Sequence, residues 1–411
     1  MTAGSRRGRS FVTIALAILM SLLLAAQGLG QWANNRGLGI MLEALGSRDA
    51  DFLAKSAQRS FELRNYAAAE AVARRAVEGA PLHQKALRIV GMAQVAQGNP
   101  QGHETVRAAG LLGWQDVPTQ AWLMIDALQR GQPQEAIFRA DALARRAGVR
   151  PELLPLIVAF ADDSTTLPTL LDRLELAPTW RQDFFRMASE ATATQTNTLD
   201  MLLRRLQRGD APPTREEVTP VVRRLVVLGN YDRADALATD LLGKPRSGSG
   251  NLVDDGGFAL ADVYRRPNNE RTPFDWEIGS TRGATATVGA SAGQDDGALY
   301  VDSNGAQPAV LATKVVRVPP GSYRFAFTVV SPDANALERF NWSATCLPGT
   351  QPLLEETSAA LVAGQAKRVE LPLTVPASGC EAQTLRLHAK STSPRETVGA
   401  RFDDIEIRPL P

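Results

Sequence analysis

Few side chains in this chain could do acid–base or metal chemistry. The three histidines, His83, His103 and His388, are scattered and form no metal-ligand spacing. The two cysteines, Cys346 and Cys380, cannot make a four-ligand zinc site alone, and the nearest histidine in sequence, His388, stands without a partner. They form a disulfide or remain two free thiols, and the compartment decides between the two. No phosphate-binding loop, dinucleotide fingerprint or His-Glu-x-x-His helix occurs in the sequence. A carboxylate pair for glycoside hydrolysis is defined by a spatial separation that sequence does not display. A net charge of +1 gives no basic stripe for nucleic acid. The expectation is a binding protein and not an enzyme, with a purely structural interaction protein that binds no sugar and a glycan-active enzyme as the alternatives.

The elements that would position any site fall into two halves. A chain of 411 residues, 44% hydrophobic and 22% charged, is ordinary globular material for two or three domains. At its start Arg6, Arg7 and Arg9 precede an apolar run from Phe11 to Ala26 that extends to Gly30. About 20 apolar residues suffice to cross a bilayer as a helix, and the basic flank keeps the N-terminus inside. Residues 1–30 therefore read as a transmembrane anchor, with a cleaved signal peptide as the alternative, and 31–50 as a linker. The expected placement is a single-pass bacterial inner-membrane protein whose bulk is periplasmic, or a secreted protein if the segment is cleaved. A Cys346–Cys380 disulfide is then expected.

Residues 51–245 carry alanine-rich amphipathic helices. Arg64-Asn65-Tyr66-Ala67-Ala68-Ala69, Arg130-Gly131-Gln132-Pro133-Gln134-Glu135-Ala136 and Leu228-Gly229-Asn230-Tyr231-Asp232-Arg233-Ala234 each place a small turn before a helix. Their spacings are close to multiples of a 34-residue period. The region resembles the tetratricopeptide repeat. In the first copy Tyr66, Ala69, Ala76 and Pro81 fall where that motif has its aromatic, its small packing residues and its terminal proline; Ala136, Tyr231 and Ala234 fit the later copies. Small residues let two helices pack closely and proline ends the second. The resemblance implies a helical solenoid, either a spacer or a groove for a protein partner. Trp114, Trp122 and Trp180 are expected as core anchors between hairpins.

After a Gly/Ser linker, 246–250, apolar and polar residues alternate. Short strands divided by Gly/Pro/Asp turns predict an antiparallel β-sandwich, a jelly roll, over 251–411. Tyr323, Phe325 and Phe327 share one face and predict its core. Asn251-Leu252-Val253 with Gly256-Gly257-Phe258, Pro273-Phe274-Asp275-Trp276, Pro320-Gly321-Ser322-Tyr323 and Phe402-Asp403-Asp404-Ile405 occur in an order that resembles the jelly-roll carbohydrate-binding modules, or galactose-binding-like domains. The resemblance implies polysaccharide recognition and a structural calcium near the first and last strands. Asp403 and Asp404 match the closing pair, while Ala259 stands where an acidic residue is usual, so Asp254 and Asp255 would have to substitute. The alternative is that Asp403 and Asp404 satisfy backbone amides at a strand edge. Sugar stacking needs exposed rings, and Trp276, Trp342 and Tyr300 are the candidates, with burial in the core as the competing reading for each. By analogy of architecture, the combination looks like proteins of cell-surface polysaccharide assembly or export.

Overall fold

The computed structural model describes residues 49–410 apart from 149, 192–195, 244–249, 261–262, 265, 268–269, 291–296, 355–359 and 393–395. They form a helical region followed by antiparallel β-sheets. Two compact units result: one reaches to Thr198 and includes Gly209–Ala211, the other comprises Leu199–Arg208 and the chain from Pro212 onward. The last helices thus belong with the strands. Most of the Gly/Ser linker lies outside the described residues.

The first unit contains α1 (Ala50–Glu62), α2 (Tyr66–Gly79), α3 (Gln84–Ala96), α4 (Gln101–Leu111), α5 (Val117–Gln129), α6 (Pro133–Ala144), α7 (Arg150–Ala159), α8 (Leu167–Glu175) and α9 (Arg181–Glu190). Side-chain oxygens of Asp49 and Asn65 accept from the amides of Phe52 and Ala68 and so satisfy donors that a helix start leaves open. Small residues meet where helices touch: Ala57, Ala69, Ala73 and Ala93 form one cluster, and Ala54, Ala76 and Ala86 another. Helices α3 and α4 approach closely. A Cβ on Gly102 would lie 2.5 Å from the Gly91 carbonyl oxygen, so neither position has room for a side chain.

One expectation is corrected. Among the described residues no helix is long and apolar enough to cross a membrane. The single-pass inner-membrane placement is therefore not supported. The apolar stretch it rested on, Phe11 to Gly30, lies outside the described residues.

Among the described residues the second unit contains α10 (Thr196–Leu206, all but its first turn), α11 (Arg215–Val227), α12 (Tyr231–Leu242), nine strands and a short helix α13 (Ala336–Arg339). The strands are β1 (Glu277–Ile278), β2 (Ala284–Ala290), β3 (Gly297–Ser303), β4 (Ala309–Val316), β5 (Gly321–Val330), β6 (Phe340–Leu347), β7 (Lys367–Val375), β8 (Ala382–Ala389) and β9 (Val398–Pro409). They form a four-stranded sheet ordered β1-β4-β8-β6 and a five-stranded sheet ordered β2-β3-β9-β5-β7. Both sheets contribute to one core. Tyr323, Phe325, Phe327 and Val329 enter it from one side, and Trp342, Ala344, Leu385 and Leu387 from the other. Inward and outward residues alternate along the strands, with a phase shift in β4 and another in β9, so burial of the inward side chains fixes the register. Arg223 of α11 clamps the start of the sandwich, donating to the Arg271 carbonyl and pairing with Glu277 at 2.9 Å. Arg317 pairs with Asp232 and Asp235 of α12.

Candidate functional site

The opening and closing segments of the sandwich lie against each other. The Leu252 amide donates to the Ile407 carbonyl, and the Ile405 amide donates to the Gly256 carbonyl, both at 2.9 Å. Asn251 braces the pair, its Oδ1 accepting from the Val253 and Ile407 amides. Gly256 is required at this contact, because a Cβ there would lie 1.9 Å from the Ile405 carbonyl oxygen. Beside it Asp255 and Phe258 hold φ of 52° and 53°, a region that bulky residues seldom occupy. The fully buried Phe258 ring packs on Trp276, centroids 5.4 Å apart, which offsets that strain.

This segment walls a small pocket of about 260 Å³, the solvent at its mouth included, lined by Asp254, Asp255, Phe274, Asp275, Trp276 and Lys314 among others. It is smaller than the several hundred Å³ typical of small-molecule sites. Lys314 is its least expected member. On β4 it follows Ala312 and precedes Val316 in the inward-facing row and stands opposite the core residue Leu385. It is only 3% exposed, and its ammonium donates to the Phe274 carbonyl at 2.5 Å. Asp255 accepts from the Leu260 amide and the Tyr264 hydroxyl. Burial raises the Asp255 carboxyl above its ordinary range, against the opposing pull of Tyr264 and the Lys314 charge. Burial and the adjacent Asp255 push the Tyr264 phenol strongly upward.

The expected sites are redistributed. Trp276 and Trp342 are 1% and 3% exposed and stack edge-on with centroids 5.7 Å apart. Trp342 also packs on Phe325 and Phe402. Neither ring can lie against a sugar, and both are withdrawn as glycan platforms. The cause is phase: Phe340, Trp342, Ala344 and Cys346 form the inward row of β6. Tyr300 alone of the three is partly exposed, because Leu299 and Val301 on either side of it are the inward residues of β3.

The calcium ligand set does not fit. Asp403 Oδ1 accepts from the Asp404 amide and its Oδ2 from Arg401; Asp404 Oδ2 accepts from the Thr328 hydroxyl. These contacts satisfy a β-bulge, where two residues of β9 crowd against β5 and Asp404 takes a φ of 50°. Among the described residues no three His, Cys, Asp or Glu side chains group as metal ligands. The ammonium of Lys314 stands in the pocket that Asp254 and Asp255 line.

Cys346 and Cys380 are disulfide-bonded, as expected. His388 bonds the Ser343 hydroxyl through Nε2 at 2.8 Å across β8 and β6. Burial, with Arg386 and Lys390 nearby, lowers its pKa and favours the neutral ring. In the helical unit Tyr66 packs on Phe61, Ala69, Ala76 and Ala136 are buried, and Pro81 stands in the exposed turn after α2; Tyr231 and Ala234, on α12 of the second unit, are buried as well.

Trp180 is buried as expected, but Trp114 is not: it is 43% exposed, in the turn before α5. Phe138 of α6 is equally exposed and meets it edge-on at 5.1 Å. Arg139 lies over Trp114 at 4.5 Å and Arg173 over Phe138 at 5.3 Å. Helical phase would have exposed Phe138, since Ala136, Ile137, Ala140 and Leu143 fill the buried side of α6. For Lys314 the signal was its place in the apolar row of β4.

No protein-family model matches the chain, and no curated protein matches it. Solved structures similar to its C-terminal part include β-sandwich carbohydrate-binding modules. A family 4 module is 14% identical, covering 38% of this chain and 99% of its own, with a TM-score of 0.28. A family 61 module in complex with β-1,4-galactotriose is 13% identical over 39% of this chain and 100% of its own, at 0.27. A family 11 module from Clostridium thermocellum, in complex with a β-1,3-1,4-mixed-linked tetrasaccharide, is 14% identical over 40% and 98%, at 0.24.

Proposed function

We propose that this is a non-catalytic binding protein whose sandwich engages a polysaccharide across the outer face of its five-stranded sheet. The observation that carries the reading is Tyr300, a partly exposed ring on that face, opposite Arg401 in the β3–β9 register. Beyond it runs a row of braced charges. Arg401 bonds Asp403, Arg368 bonds the Asp404 carbonyl and Glu406, and Arg408 also bonds Glu406. A flat ring offers apolar area at little entropic cost, and fixed guanidinium and carboxylate groups orient hydroxyls. An extended polymer fits such an open face better than the small pocket. The test is affinity electrophoresis of the full chain in a panel of bacterial polysaccharides. Tyr300→Ala should weaken the interaction about tenfold, the equivalent of about 1.4 kcal/mol, with an unchanged melting temperature. Retention that ignores Tyr300→Ala, or a panel with no retention at all, refutes the reading.

A second reading concerns the helical unit. Trp114 and Phe138 are held at the surface by stacked guanidinium groups, and Arg139 is fixed further by Gln120 and Glu135. Rings braced beside positive charge suit a peptide segment carrying carboxylates next to an apolar side chain. Selection of random dodecapeptides on the full chain should enrich acidic, apolar sequences whose binding falls at least tenfold in Arg173→Glu. Enrichment of peptides without acidic residues counts against it, as does binding indifferent to that change.

A further inference from the structure

Lys314 is the charge that the polysaccharide reading leaves unused. It sits inside the sandwich, on the core face of a strand, where an ammonium deprived of water is costly unless opposite charge and acceptors surround it. Those surroundings are built in. The Phe274 carbonyl accepts from it, the Trp276 ring lies 5.4 Å away, and Asp254, Asp255 and Asp275 line the same pocket. Two of the acids are held independently of the lysine. Asp255 is fixed by the Leu260 amide and Tyr264, and Asp275 by the amide and hydroxyl of Thr272. The three acids and the carbonyl all come from the opening segment between Asp254 and Trp276, whereas the lysine comes from the middle of β4.

We propose that the Lys314 ammonium is the built-in cation of the sandwich: it ties the acidic opening segment to the sheet and takes the part that a bound divalent metal would otherwise play there. The acids lining this pocket do not group as metal ligands, yet their negative charge still calls for a cation beside it. Here a side chain of the chain itself supplies the positive charge. The fold of the sandwich is then independent of calcium, and the positive charge of Lys314, beyond its alkyl stem, holds the segment in place.

Melting of the full chain tests this, first in calcium chloride and then in EDTA. The wild-type transition should be the same in both. Lys314→Met keeps the length of the stem and removes the charge. It should lower the melting temperature of the sandwich transition by about 6–20 °C, because it strands carboxylates beside an apolar side chain. Adding Asp255→Asn to Lys314→Met should recover part of that loss, while Asp255→Asn alone should lower the melting temperature, a coupling that a packing role would not produce. A wild-type transition raised by calcium or lowered by EDTA overturns the proposal, and so does a Lys314→Met protein that melts like the wild type. If Lys314→Met does not fold, the wild-type comparison in calcium and EDTA still decides the question, and so does the folding of the double variant.

Discussion

Reduction of the Cys346–Cys380 disulfide, or its replacement by two alanines, lowers the stability of the sandwich by about 3–4 kcal/mol. The bond joins the end of β6 to the turn before β8 and spans 34 residues that include β7. Closing a loop of that length removes conformational freedom chiefly from the unfolded chain, so the loss appears even though no native contact beyond the bond changes. Alanine is the better replacement because both cysteines are buried, at 1% and 5% exposure, and a serine hydroxyl there would need a partner. The neighbouring turn is held by other bonds. Gln383 donates to the carbonyls of Val318 and Cys380 and accepts from the Val318 amide, so the native geometry should survive the substitution. Urea unfolding followed by near-ultraviolet circular dichroism, with and without reductant, measures the effect. Because the chain has two compact units, the change should fall on one transition and leave that of the helical unit where it was. A double-alanine protein with the wild-type midpoint would show that the bond constrains nothing.

The parts of this architecture that could be read from sequence are those fixed by local rules. Helices begin at Tyr66, Pro133 and Tyr231, directly after the turn residues that mark them. The β5 row of Tyr323, Phe325 and Phe327 faces the core, as its two-residue spacing requires. The opening and closing motifs proved to be physical neighbours, joined through Asn251, Gly256 and Ile405. What could not be read depends on neighbours remote in sequence or on a broken period. The short helix α13 ends immediately before β6, so the strand takes its phase from Phe340, and Trp342 turns inward with it. The Asp403-Asp404 pair looks like a ligand pair only while β9 is taken as regular; the bulge puts both carboxylates to work on local partners. A lysine in an apolar row is ordinarily read as one that carries its charge out to solvent along its stem. Only the three-dimensional arrangement shows acids from residues 254–275 lining the pocket that receives it. Trp114 lies in a turn, where no periodicity assigns a face.

Asp116→Ala is the substitution expected to cost the helical unit most. Asp116 caps α5, its Oδ2 accepting from the amide and hydroxyl of Thr119, and loss of such a cap costs about 1 kcal/mol. The larger effect falls on Arg88 of α3. Arg88 is 5% exposed, and its Nε lies 2.7 Å from Asp116 Oδ2, close enough for an ion pair although not aligned as a hydrogen bond. Its hydrogen bonds, to Gln58 and the Met92 sulfur, are neutral, and the Glu62 carboxylate adds a smaller favourable charge than Asp116 does. Burial pulls the Arg88 pKa down and the Asp116 charge holds it up, so removing the carboxylate leaves a guanidinium that can neither reach water nor readily lose its proton. Stranding one member of a buried pair costs about 3–5 kcal/mol. Arg88→Met should be milder, because Asp116 keeps both bonds from Thr119 and the methionine stem fills most of the space. The decisive measurement is the double variant. Asp116→Ala with Arg88→Met should be more stable than Asp116→Ala alone, since the second change removes the charge that the first one isolates. If the two losses simply add in urea unfolding of the helical unit, the pair is not an electrostatic couple, and Asp116 acts only as a helix cap.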